Sequence, residues 1–102
     1  MEVKHNKTGG TSTLYLYGEL DECSAVYTKN LIDKVIEDNL NSKQFVFDLS
    51  GVTFMDSTGV GLLIGRYKKL TQFRIPSYIS GANFSTEKVI QLSGLYTIMP
   101  KF

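Results

Sequence analysis

An α/β domain with a mixed sheet is the fold this sequence predicts, and three observations carry that reading. Short β-branched and aromatic runs alternate with segments whose apolar residues recur at helical spacing. Turn chemistry separates them, as at Lys7-Thr8-Gly9-Gly10, Asn39 to Asn41 and Ser93-Gly94. The length of 102 residues leaves room for one core. The predicted order is β-β-α-β-α-β-α-β in a single domain over residues 1–102, with a sheet of four to five strands and helices packed on it.

Glu2 to His5 reads as a short strand, and Thr13 to Tyr17 (TLYLY) as a second that stops at Gly18. The turn residues between them suggest a hairpin. Asp21 and Ser24 are helix-start residues, and Thr28, Leu31, Ile32, Val35 and Ile36 then follow at helical spacing. Gln44 to Leu49 (QFVFDL) is the near-continuous apolar run of a buried strand, with Ser50 to Met55 read as a loop. Ser57 to Thr71 is the second helix. Ile75 to Ser80 is a strand that Pro76 confines to an edge or to the strand start. Phe84 to Leu92 is the third helix, and Tyr96 to Met99 a last short strand. In open sheets of this kind, sites gather beyond the carboxyl ends of the strands. Asp21, Asp48 and the Asp56-Ser57 turn are therefore expected on one rim.

Composition narrows the function classes. Eleven basic and ten acidic residues give a formal net charge of +1, which supplies no electrostatic argument for nucleic acid or an anionic membrane. The single cysteine, Cys23, cannot form a disulfide within the chain and is expected to be a small, half-buried residue. No apolar run is long enough to span a bilayer, and the polar start MEVKHNKTGG has no signal-peptide core, so a cytoplasmic protein is expected. The lone His5 and Cys23 lie apart and the acids are scattered, so neither a metal site nor a cofactor is expected.

The stretch MDSTGVGLLIGRYKK concentrates the remaining chemistry. On a helical wheel, Val60, Leu63, Ile64, Tyr67 and Leu70 fall on one stripe, the expected core face. Thr58, Gly61, Leu62, Gly65, Arg66 and Lys69 fall opposite. Two glycines inside a helix cost roughly 1 kcal/mol each relative to alanine. Either they allow close packing within the domain, or they form a flat surface for a partner, with Leu62 as anchor and Arg66 and Lys69 at its rim.

Asp56, Ser57, Thr58 and Gly59 admit four readings. Capping requires one such residue, not three in a row. A nucleophilic Ser57 lacks the preceding glycine of a nucleophile elbow, and no histidine other than His5 exists to act as base. A phosphate-cradling loop would need a glycine pattern that 59, 61 and 65 do not match. A modification site fits physically: a helix N-terminus favours a phosphate by roughly 0.3–1 kcal/mol, and a new charge of about −2 would block a partner on the adjacent face.

Longer stretches resemble a known family. GELDECSA (Gly18 to Ala25), FVFDLSGVTFMDSTGVGLLIGRYK (Phe45 to Lys68) and VIQLSGLYTIM (Val89 to Met99) are similar to the bacterial anti-sigma factor antagonists, whose fold is the STAS domain, and within them to the sporulation branch. The resemblance runs nearly end to end. It implies a non-enzymatic regulator that, unphosphorylated, binds a nucleotide-bound (ADP or ATP) anti-sigma factor that is also a serine kinase, and so frees a sigma factor for transcription. It implies phosphorylation of Ser57 by that kinase and reversal by a PP2C-type phosphatase. The choice of Ser57 over Thr58 rests on the family pattern. The segment Asp21, Glu22 and Ser24, together with Asp56 and the start of the second helix, is implied to meet the kinase. The turn Gln72-Phe73-Arg74-Ile75-Pro76 departs from the Gly-rich turn frequent in that family. The competing reading is a module sensing a small ligand or nucleotide on the same rim.

Overall fold

The computed structural model describes all residues from Met1 to Phe102. β1 (Glu2–Thr8) turns through Gly9 and Gly10, both at positive φ, into β2 (Thr11–Leu20). The two pair antiparallel as the expected hairpin, in register from Glu2 opposite Tyr17 to Thr8 opposite Thr11. Helix α1 (Ala25–Glu37) then returns the chain to β3 (Gln44–Met55), which lies parallel to β2. Helix α2 (Ser57–Gln72) leads to β4 (Ser77–Ser80), parallel to β3, and α3 (Phe84–Ser93) follows. The sheet has four strands in the order β1-β2-β3-β4. Each parallel step needs a crossover, and α1 and α2 supply them.

Alternation on β2 explains the layering. Ser12, Leu14, Leu16 and Leu20 are buried, while Thr13, Tyr15 and Tyr17 face outward to different degrees. β3 is buried more completely, with Phe45, Val46, Phe47 and Leu49 at or near zero exposure. Ile32 and Ile36 of α1, Val60, Leu63 and Leu70 of α2, Ile90 of α3 and Met99 join them in one continuous core. Each such side chain contributes on the order of 1.5–3 kcal/mol by leaving water.

Three sequence expectations are corrected. Ser50 to Met55 is not a loop: β3 continues to Met55 alongside β2, helped by Gly51, where a Cβ would stand 2.8 Å from the Leu16 carbonyl oxygen. Tyr96 to Met99 is not a strand. Gly94, at φ 75°, ends α3, and Leu95–Thr97 forms a 3-10 turn. Leu95 in the turn and Met99 just beyond it are buried and four apart, and the Met99 N–H donates to the Leu95 carbonyl at 2.9 Å, the spacing of a helical turn and not of a strand. The chain meets the sheet only afterwards, through a single parallel bridge between Lys101 and Ile79. Cys23 is exposed rather than half-buried.

Candidate functional site

The parallel pairing of β2 and β3 ends with Leu20 beside Met55. The chain therefore leaves both strands at the same level, and the segments 21–24 and 56–59 emerge side by side. The Asp56 N–H, 3.5 Å from the Leu20 carbonyl, marks the junction. Asp48 does not join this rim. It lies within β3 opposite Ser80, and its carboxylate accepts hydrogen bonds from the Ser50 N–H and from the Ser50 and Ser80 hydroxyls. The expected three-acid rim is two acids, because β3 runs well beyond the end of β4.

Asp56 is the cap of α2. Its Oδ1 accepts from the Thr58 N–H at 2.9 Å and the Gly59 N–H at 3.2 Å. Such a cap contributes about 0.5–2 kcal/mol. With Asp56 as cap, Ser57 becomes the first helical residue, exposed, and its hydroxyl has no hydrogen-bond partner in the chain. Thr58 is half-buried. Gly59 is buried against the end of β2, where a Cβ would stand 2.6 Å from the Leu20 carbonyl oxygen and 2.9 Å from Met55 Cγ. Gly59 therefore seats the helix on the sheet and is not part of the surface expected from the sequence.

The neighbouring segment is tied internally. The Ser24 N–H donates to Asp21 Oδ1 at 3.1 Å, and the Ser24 hydroxyl donates to the Glu19 carbonyl at 2.8 Å. Asp21 and Ser24 thus shape the approach to α1, and Glu22 projects into solvent.

The face of α2 opposite the sheet is not the open surface the wheel suggested, because α1 lies along it. Leu62 and Arg66 are each only 7% exposed. Gly61 and Gly65 do have open space, with no heavy atom within 4 Å of an added Cβ, so neither mediates close packing within the domain. Between the helices runs an open groove of ≈ 420 Å³, with Ala25, Val26 and Lys29 on the α1 side and Thr58, Gly61, Leu62 and Arg66 on the α2 side.

Beneath the groove is an ionic cluster the sequence reading missed. Asp33, on α1, faces three cations: Arg66 Nε at 2.9 Å, Lys29 Nζ at 3.0 Å and Lys69 Nζ at 3.7 Å. Lys69 also reaches Glu37 at 3.4 Å. Arg66 and Lys69 are thus held by α1 instead of standing free at a rim. Lys29 and Asp33 form an i,i+4 pair, which was legible in the sequence, but nothing there showed that Asp33 is buried.

No helix is long and apolar enough to cross a membrane. No group of three or more histidine, cysteine, aspartate or glutamate side chains could hold a metal ion.

The sequence matches the STAS domain family over residues 2–102. The anti-sigma F factor antagonist of Paenibacillus polymyxa is 30% identical over 100 residues, which span 98% of this chain and 83% of that protein. Among solved structures, the anti-sigma factor antagonist SpoIIAA in its unphosphorylated form aligns with a TM-score of 0.79 at 26% identity, over 99% of this chain and 88% of that one. The phosphorylated form of the Bacillus protein aligns with a TM-score of 0.70 at 26% identity, over 99% and 91% of the two chains.

Proposed function

This chain belongs to the STAS domain family, and on that premise we propose that it is an anti-anti-sigma factor: unphosphorylated, it binds an anti-sigma factor and so releases a sigma factor, and phosphorylation of Ser57 ends the interaction. The partner is a nucleotide-bound anti-sigma factor that is itself the serine kinase, and a PP2C-type phosphatase restores the binding form. The exchange takes place in the cytoplasm. The observation that carries the reading is the state of Ser57, an exposed hydroxyl with no internal partner at the first position of α2, next to the groove.

The local geometry supports a switch without unfolding. A phosphate on Ser57 would add a charge of about −1.5 to −2. The helix end favours an anion, while the Asp56 carboxylate is already committed to the Thr58 and Gly59 N–H groups. The second negative group is therefore repelled from the cap and projects outward, into the space of a partner seated on the α1–α2 face. Trapping such a charge in an interface costs on the order of 3–5 kcal/mol, a loss of roughly a hundredfold or more in affinity. The relatives named as anti-sigma factor antagonists, one of them solved with and without phosphate, support the same assignment.

Incubation with the anti-sigma factor kinase and ATP is expected to add one phosphate by intact mass, and none to Ser57→Ala. Equal modification of that variant would remove Ser57 from the mechanism.

A further inference from the structure

The distribution of charge under the groove is uneven. One carboxylate, Asp33, answers Lys29, Arg66 and Lys69, and only Lys69 has a second acid, Glu37, in reach. The residues lining the groove include two cations, Lys29 and Arg66, and no acid. Arg66 is the more informative of the two. Its side chain is 9% exposed, so it has given up most of its water. Yet its Nε–H has no hydrogen-bond acceptor, because Asp33 Oδ1 lies close but off the N–H direction. A guanidinium carries a planar fork of donors that matches a carboxylate in two parallel bonds. Here the buried Nε edge of that fork lies against Asp33, while the terminal amino groups make no hydrogen bond within the chain and belong to a side chain that lines the groove.

Resting on the anti-sigma reading above, we infer that Arg66 is a specificity determinant of the groove: it receives a carboxylate side chain, Asp or Glu, presented by the anti-sigma factor. The partner segment would seat its apolar part over Leu62 and the open Gly61 position, with its acid directed between the helices. Lys29, 51% exposed at the groove, adds attraction during approach. Asp33 acts as an internal competitor. It holds the Nε side of Arg66 in place in the free protein and leaves the terminal amino groups without a protein acceptor.

The test is calorimetric titration of the full chain with the purified anti-sigma factor from the same cell, at two salt concentrations. Removing Arg66 alone would leave Asp33 to Lys29 and Lys69 and shift the net charge of the cluster, so the variants are Asp33→Asn and the neutral pair Asp33→Asn with Arg66→Met, each checked for a native circular dichroism spectrum. Asp33→Asn is expected to bind at least as tightly as the wild type, since it frees the fork. The neutral pair is expected to bind on the order of thirtyfold more weakly, with a smaller salt dependence. Two results overturn the inference: a neutral pair that binds within twofold of the wild type, or an Asp33→Asn variant that loses as much affinity as the pair. Absence of wild-type binding would instead remove the anti-sigma reading itself.

Discussion

The α1–α2 side and the α3 side of the molecule use the same kinds of residue to different ends. On the α3 side, polar groups are matched. Asn83 Oδ1 accepts from the Thr86 N–H and from the Ser85 and Thr86 hydroxyls, while its amide donates to the Val52 carbonyl. Glu87 takes the Tyr96 hydroxyl at 2.9 Å and Lys101 at 2.7 Å. On the α1–α2 side, the Ser57 hydroxyl and the Arg66 Nε–H lack acceptors, and Gly61 and Gly65 leave open space. One side closes the fold, and the other keeps bonding capacity for something outside it.

The largest effect that tests this contrast is expected inside the seat of α2. Gly59→Ala puts a Cβ against the Leu20 carbonyl oxygen and Met55, and should cost about 2–3 kcal/mol in urea unfolding. Next comes the closed side. Asn83→Ala removes a cap and a tie to β3 together, and should lower stability by about 2 kcal/mol with no change in the proposed phosphorylation of Ser57. On the open side the sign reverses. Gly61→Ala meets nothing and relieves a helix glycine, so stability should rise by about 0.5–1 kcal/mol while affinity for the anti-sigma factor falls. A loss of stability there would mean that Gly61 belongs to the packing after all.

The smallest effect concerns pH. Burial, and then the Glu87 carboxylate to which it donates, push the Tyr96 phenol up to about 12. The neutral form is thus favoured by folding. Its contribution is complete below the unfolded value of about 10 and is lost as pH rises from there towards 12. Tyr96→Phe should flatten that alkaline decline, measured as the urea midpoint against pH. Conversely, hydrogen bonds from Lys101 and then Tyr96 hold the Glu87 carboxyl below its ordinary value, so its contribution is present at neutral pH and fades on acidification.

Most of the fold was legible in the sequence because periodicity reports which face is dry. The spacing of Ile32 and Ile36, the apolar run of β3 and the stripe Val60, Leu63, Leu70 all identify core residues. The same signal misleads where a helix has two dry faces. The wheel placed Leu62 and Arg66 in solvent because it counted only the sheet as a neighbour, whereas α1 buries both. The end of β3 was hidden by the polar, glycine-containing run Ser50 to Thr53, whose extended shape comes from pairing with β2 and not from its own composition. At the site, Asp56 and Ser57 could be placed from capping chemistry. The burial of Asp33 could not, since an acid beside Lys29 and Lys34 on a helix reads as a solvated face.

The fit of Gly59 beneath the Leu20 carbonyl also bears on the order of folding. These residues are distant in sequence and meet only once β2 has paired with β3 along its length, a non-local step that carries a loop-closure cost. The head of α2 cannot take its final position before then. A chain still assembling its sheet therefore does not present Ser57 at the first turn of a seated helix, and an enzyme that reads this turn by shape acts on finished molecules only.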